Sequence, residues 1–397
     1  MAQPDWLDDK QNITVGERGV RSGRRHELSL TVRFDDARGG SYQLPAFGGC
    51  GGRDFDLCMY FDFDWHVDWG DGAGGHVKGR SSSFGGEVEQ GSLVHTYESG
   101  GTYRIVIRPT NKPSKTEGAA PGWLQAFGYT DRLLYDGTTG ERIFLKGVDN
   151  LIEVDGVLDD YAINIELIGA CENMFALCKN ITMGPSFTFE SDKTQAGHDF
   201  CKGMFFGHGP AFTMNSQFNL PQDIVAVGNS FCEGMFNATF GGYATKSAFE
   251  MNEQFNLPQK ISGYVGPGFC SFMFCQNESD TFTMNDVFNL PQGISSAGHA
   301  FCSRMFSSCR GEAFSMNRVF NIPPVLGQVG DEGFADMFSG CNGRSFQVNE
   351  SFVLPNMTGG RHLAWCMFYG CRSEALNQKM KGLIADNPFL CIWVPPD

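Results

Sequence analysis

The chain has 397 residues, of which 41% are hydrophobic and 19% charged, enough apolar material for a buried core and unlike a disordered chain. Its formal net charge of −15 argues against a general nucleic-acid binder, which needs a basic face for phosphates. Three counts stand out, 36 Phe, 51 Gly and 14 Cys, and the Phe count exceeds Tyr and Trp together more than twofold.

In chain order, Met1 to Lys10 shows neither a basic start nor an apolar stretch, so no secretory signal is expected in this chain. The alternation from Phe61 to Trp69, followed by Gly70-Asp71-Gly72, predicts a strand and a tight turn. Leu93–Tyr97 follows, and then the β-branched, alternating run Gly101–Ile107, a further strand. Asn111–Gly122 is rich in Pro, Gly and Ser-like residues and reads as a linker. Residues 123–170 hold strand-like runs at Arg142–Leu145 and Ala162–Ile168, expected to cap a stacked array, whose end rungs need a polar outer face.

From residue 171 the chain repeats. A Met-Phe pair recurs at Met174, Met204, Met235, Met273, Met305, Met337 and Met367, with spacings of 30, 31, 38, 32, 32 and 30 residues. Between the pairs stand FTMNSQFNLP (Phe212–Pro221), FEMNEQFNLP (Phe249–Pro258), FTMNDVFNLP (Phe282–Pro291), FSMNRVFNIP (Phe314–Pro323) and FQVNESFVLP (Phe346–Pro355). Each block ends in Pro, which suits a strand exit and not a helix interior. The Phe-Cys-x-x-Met-Phe segments read as one or two helical turns, because Phe231 and Met235, and Cys232 and Phe236, lie four apart. One strand and one short helical segment per repeat is the grammar of a solenoid, in which a single unit cannot bury its Phe and Met alone. Beyond it, Leu376, Met380, Leu383 and Ile384 at helical spacing predict a capping helix over Ser373–Asp386. The longest compact apolar run, Phe389–Val394, is far short of the ~18 residues of a membrane span.

Two resemblances follow from these motifs. Val67–Gly72, His95–Tyr97 and Gly101–Val106 fit in order the W-x-F-G-D-G, H-x-Y and G-x-Y-x-V marks of a PKD-type immunoglobulin-like domain, with Trp69 two places later than usual and a Gly/Ser-rich insertion at Gly79–Gly91. Over roughly residues 150–372 the repeats resemble BspA-type leucine-rich repeats of bacterial, protist and viral surface proteins. The order Leu220-Pro221, Ile224, Val227-Gly228, Phe231, Phe236 carries that likeness, as does Leu290-Pro291, Ile294, Gly298, Phe301, Phe306, Cys309. An inserted Phe-x-Met-Asn block and Met-Phe in place of Ala-Phe depart from it. The resemblance implies a mainly β protein with short helices: an immunoglobulin-like sandwich over 1–112, a linker and cap over 113–170, a leucine-rich-repeat-like solenoid of about seven rungs over 171–372 and a C-terminal cap over 373–397.

The residues with chemistry have architectural readings. Cys171, Cys201, Cys232, Cys270 and Cys302 stand three before a repeat Met, and Cys178, Cys309, Cys341 and Cys371 four after one. No CxxC or Cys/His zinc spacing is present, and such ladders read as small buried thiols, with bridges between rungs along Cys309, Cys341 and Cys371 as the alternative. Asn215, Asn252, Asn285, Asn317 and Asn349 read as a ladder satisfying backbone groups at a turn. Asp62, Asp64, Asp68 and Asp71 are candidate calcium ligands by type, although they lack the spacing of a calcium loop and their alternation suits the wet face of a strand. His95 belongs to the sandwich motif, and Gly70, Gly72 and Gly75 lack the strand–turn–helix setting of a dinucleotide fingerprint. Sequons occur at Asn180, Asn237 and Asn277. No catalytic motif, cofactor motif or metal site is expected.

The reading is therefore a non-enzymatic binding or structural protein on a virion or extracellular surface. Its partners would be a protein or glycan on a host surface, or neighbouring subunits of an assembly, copies of itself included, with no nucleic acid and no direct membrane insertion. The alternative is an accessory module that holds carbohydrate for a partner catalytic chain. Trp65, Trp123, Tyr129 and Tyr243, aromatic residues outside the repeat grammar, are the candidate contacts.

Overall fold

The structure is a computed structural model, which describes residues 27–44, 60–82, 85–109, 119–121, 145–159, 163, 165–166, 169–240, 243–244, 249–279, 282–310, 314–341 and 346–371. These residues are mainly β, and the one helical element among them is a 3-10 turn at Val148–Asn150.

The N-terminal part is built from β1 (Leu28–Phe34), β2 (Gly40–Gln43), β3 (Tyr60–Asp68), β4 (Gly74–Ser82), β5 (Gly85–Gln90), β6 (Val94–Tyr97), β7 (Gly101–Pro109) and β8 (Ala119–Pro121). Alternation drives this: Leu28, Leu30, Val32 and Phe34 of β1 and Trp65 and Val67 of β3 are buried, and Thr31, Arg33 and His66 between them are more exposed, with Ser29 the buried exception. One large sheet runs β1-β7-β3-β4-β5, and β8, inside the segment expected to be a linker, pairs parallel to β3. A separate antiparallel pair, β2–β6, lies against the large sheet through the rings of Phe34 and Tyr97 (5.2 Å) and of Tyr97 and Tyr103 (4.1 Å). The turn after β3 needs its glycine: Gly70 has φ +82° and a Cβ there would stand 2.6 Å from the Arg104 carbonyl oxygen.

The strand β9 (Leu151–Asp159) joins the two parts. It pairs antiparallel with β1 on one side and parallel with β10 (Thr182–Met183) and β11 (Thr188–Glu190) on the other. The solenoid thus starts on an edge of the N-terminal sheet, and one hydrophobic core runs from Leu28 to Cys371.

The C-terminal part is a β-solenoid of about six turns. The seven Met-Phe pairs delimit its turns, so the expected count of seven rungs becomes six full circuits between pairs. Its strands are short and parallel: β12 (Gln195–Ala196) pairs with β13 (Ala226–Val227), and β16 (Ser262–Val265), β17 (Gly293–Ala297), β18 (Gln328–Val329) and β19 (Thr358–Gly359) form a four-stranded ladder. Among the described residues of the solenoid, only β14 (Thr239–Phe240) and β15 (Tyr243–Ala244) pair antiparallel, within one of the longer repeats. The strands thus fall in the polar, Gly-bearing stretch after each Pro, and not in the Phe-x-Met-Asn block where a strand was expected. The capping helix expected over Ser373–Asp386 lies outside the described residues.

The Phe-Cys-x-x-Met-Phe segments are not helical, which corrects the i,i+4 reading. In the first of them, the N–H groups of Glu172, Met174, Ala176 and Cys178 each close a turn on the carbonyl three residues back. The intervening N–H groups of Asn173, Phe175 and Leu177 donate to the Lys202, Met204 and Phe206 carbonyls of the next rung at 2.7–2.8 Å. A helix directs every interior N–H along its own axis. Here alternate ones are turned outward to the neighbouring rung, and Cys171, Asn173 and Leu177 adopt φ of 60°, 52° and 61° to do it. Burying the segment from both sides supplies the energy that holds non-glycine residues in this uncommon region.

The Phe surplus is four stacks. Phe175, Phe205, Phe236, Phe274, Phe306, Phe338 and Phe368 lie ring on ring at 5.3–5.7 Å with planes within 18°. Phe187, Phe218, Phe255, Phe288 and Phe320 form a second stack at 5.6–6.2 Å, set edge-on to the first at 82–88° between Phe274 and Phe288, Phe306 and Phe320, and Phe320 and Phe338. Phe212, Phe249, Phe282, Phe314 and Phe346 form the third, and Phe200, Phe231, Phe269 and Phe301 the fourth. Stacking along a column and edge-to-face contact between columns are the two favoured arrangements of the ring quadrupole.

The asparagine row works as a polar spine. Asn285 Nδ2 donates to the Asn252 and Phe255 carbonyls of the preceding rung, and its Oδ1 accepts the N–H groups of Val287 and Phe288. Asn252 and Asn317 repeat the same four contacts. A second spine, not foreseen, pairs Asn256 with Gln259: the Gln259 amide reaches the Asn256 side chain, the Leu257 carbonyl and the Asn289 carbonyl of the next rung at 3.0–3.3 Å. Replacing Asn285 by Ala strands three part-buried backbone groups, each costing about 1–3 kcal/mol when unpaired, while the exposed Val287 N–H can turn to water. We expect a loss of about 3–5 kcal/mol by urea unfolding. Asn285→Asp, which keeps the acceptor and loses both donors, should fall between the two.

Candidate functional site

The residues singled out for chemistry are largely absorbed by the architecture. Trp69 stacks on His95 at 4.9 Å, His95 Nε2 meets Asp71 Oδ2 at 2.7 Å, and the Tyr97 hydroxyl donates to the Trp69 carbonyl at 2.9 Å. The Gly-Asp-Gly turn, His95 and Tyr97 form a single knot that ties β3 to β6. Burial raises the Asp71 carboxyl, but the bonds from His95 and the Ala73 N–H outweigh it and hold the group below its ordinary range.

The other carboxylates of the suggested calcium set have partners of their own. Asp64 lies 2.9 Å from His76 Nδ1 and 2.8 Å from Lys78 Nζ, and Asp68 Oδ1 accepts the Gly70 N–H. The side chain of Asp62 lies outside the described residues. Among the described residues no three His, Cys, Asp or Glu side chains converge on one point.

Of the candidate contacts, Trp65 is corrected: it is 2% exposed and belongs to the core. The alternation that turns Asp64 outward turns Trp65 inward. Tyr243 sits on β15 opposite Phe240, and Trp123 and Tyr129 lie outside the described residues. The apolar residues that do face out were missed. Among them are Tyr264 (64% exposed), Val325 (58%), Tyr369 (48%) and Trp365 (45%). A signal for them existed. Tyr264 takes the ladder position held by Ser296, Gln328 and Thr358 in later rungs, and Trp365 takes that of Ser271, Ser303 and Ala335.

The eleven described cysteines are free thiols, ten of them buried. Cys309, Cys341 and Cys371 donate to the Phe274, Phe306 and Phe338 carbonyls at 3.0–3.1 Å. Burial pushes the Cys201, Cys270, Cys302, Cys309 and Cys341 thiols well up, and Cys275 up to about 12. Thiols so protonated and enclosed are poor nucleophiles. In a chain with Cys50, Cys58 and Cys391 changed to Ser, native labelling at neutral pH should capture Cys366 alone. The other ten should react only on unfolding. Fast labelling of several would show that the ladders are open to solvent.

The sequon residues divide: Asn180 is exposed, whereas Asn277 is fully buried and donates to the Phe236 and Phe274 carbonyls, and Asn237 is buried too. Among the described residues no helix is long and apolar enough to cross a membrane. Comparison with known protein families, with curated proteins and with solved structures finds no match to this chain.

Proposed function

We propose that this chain is a non-enzymatic binding or structural protein, displayed on a virion or cell surface, that recognises a host surface protein or glycan or cements neighbouring subunits. One observation carries the reading. Phe, Met, Cys and Asn of the repeat are spent inside the solenoid, and the large apolar side chains that break the repeat, Tyr264 and Trp365 among them, stand on its surface. Exposed aromatic residues on a rigid scaffold supply contact area at low entropic cost, and solenoids present long surfaces suited to binding. The motif likenesses to a PKD-type immunoglobulin-like sandwich and to BspA-type repeats point the same way, since that pairing recurs in surface proteins.

Fractionation tests the proposal. The protein should cofractionate with intact particles or cell envelopes, and Tyr264→Ser with Trp365→Ser should release it or weaken partner capture while leaving the fold intact by circular dichroism. Retention on insoluble polysaccharide with nothing on particles or envelopes would replace this reading by the carbohydrate-holding module.

A further inference from the structure

The outer face of β3 and β4 carries a pair of histidines that the knot around Trp69 does not use. Trp65 and Val67 point into the core, so Asp64, His66 and Asp68 share the opposite face of β3. His66 is register-paired with His76 of β4, and Asp64 with Lys78. Side chains directly opposite on antiparallel strands have Cβ atoms about 4.5–5.5 Å apart. The two imidazole rings stand 5.7 Å apart, centroid to centroid, at 89°.

Their hydrogen bonding is that of ligands held ready. His76 Nδ1 meets Asp64 Oδ1 at 2.9 Å, and a carboxylate partner favours the tautomer with the proton on Nδ1 and the lone pair on Nε2. Carboxylate–histidine pairs of this kind orient metal-binding imidazoles. Lys78 Nζ, 2.8 Å from Asp64 Oδ2, fixes the carboxylate from the other side. The Nδ1 atom of His66 is buried and has no hydrogen-bond partner, an unusual state for a polar ring atom in a sheet. The cation opposite His66 on β7, Arg108, is answered by Glu27 at 3.0 Å, so it does not repel an incoming ion unscreened.

We propose that His66 and His76 form a cross-strand site for a divalent transition ion that prefers imidazole, Zn²⁺ or Cu²⁺, with Asp64 as the positioning residue for His76. The spacing fits. A metal about 2.1 Å from each ring nitrogen puts each centroid about 3.2 Å from the ion, so two rings on one tetrahedral ion stand about 5.2 Å apart, and slightly more at a wider angle. Imidazole ligands favour these ions over Ca²⁺ or Mg²⁺, which take carboxylate oxygens. The two imidazoles are the protein's ligands and water completes the shell, so binding is exchangeable and weaker than at a closed four-ligand site.

The test is calorimetric titration of ZnCl₂ into the full chain carrying Cys50→Ser, Cys58→Ser and Cys391→Ser, in a non-chelating buffer. One saturable site is expected. His66→Asn and His76→Asn should each weaken it at least tenfold, and Asp64→Asn about tenfold, the usual cost of losing an outer carboxylate. Absence of saturable binding in the parent, or unchanged binding in both histidine variants, overturns the proposal. Should a variant misfold, the parent decides: its Cu²⁺ complex must show electron-spin coupling to imidazole nitrogen, and a spectrum without that coupling overturns the site equally.

Discussion

Replacing Phe274 by Ala is expected to cost about 3–5 kcal/mol, the range for a fully buried Phe whose site cannot collapse. Phe274 has no exposed surface. It stacks on Phe236 (5.6 Å) and Phe306 (5.3 Å), meets Phe255 and Phe288 edge-on, and touches Phe249 and Phe282. The hole would therefore open into three columns at once. Because a solenoid's stability is a sum over units and their interfaces, a defect in a middle rung should also split the urea transition into two steps. Phe272 is the control. It is half-buried with the Arg304 guanidinium 5.4 Å above its ring, and Phe272→Ala should cost about 1 kcal/mol. Equal losses at both positions would contradict the stacked-column account.

Stability should fall as pH drops from about 6.5 to about 4, and His208 is the reason. It occupies, four residues after a repeat Met, the position that Cys178, Cys309, Cys341 and Cys371 hold in other rungs. It is fully buried, with the rings of Phe212 and Phe249 at 4.5 and 5.7 Å and the Gly209 carbonyl beside Nδ1. Burial disfavours the imidazolium and lowers the pKa from 6.5 to about 4. Between those values the unfolded chain binds a proton that the folded chain refuses. The His208 contribution is whole above pH 6.5 and is lost as pH falls through the window, on the order of 3 kcal/mol in all. The carboxylates held low by their partners, Asp36, Asp71 and Asp223, weaken the fold only at lower pH. Urea midpoints of the parent and His208→Cys at pH 7.5 and 4.5 check this. The variant should lose most of the slope, and parallel slopes would show that another group is responsible.

The repeat was legible because side-chain identity recurs with the pitch of the coil. Stacking demands like over like, so the Phe columns, the thiol rows and the Asn215-to-Asn349 spine could be named from spacing alone. The path of the backbone within a rung could not. The partner of the Phe175 N–H is the Met204 carbonyl in the next rung, and no local pattern announces a bond made so far along the chain. The i,i+4 spacing of Phe231 and Met235 therefore suggested a helix where successive turns carry both residues inward. Left-handed φ at Cys232, Ala300 and Asp336 has no compositional mark either, since glycine is the usual sign. The inward side of Trp65 is legible in the same alternation: a period of two that turns Asp64 outward turns its neighbour into the core. Tyr264 and Trp365 were readable as exceptions to an otherwise consistent column.

The strand β9 has a mechanical consequence. A force pulling the N-terminal sheet away from the solenoid must open the pairing on one side of this strand. It acts across a strand gripped on both sides, by five register pairs to β1 and by parallel pairing to β10 and β11. Those hydrogen bonds lie across the strand, so the pull runs along them and loads the pairs of one side together. If one end of the molecule is anchored and the other holds a partner, the joint transmits the load and the orientation of one part to the other.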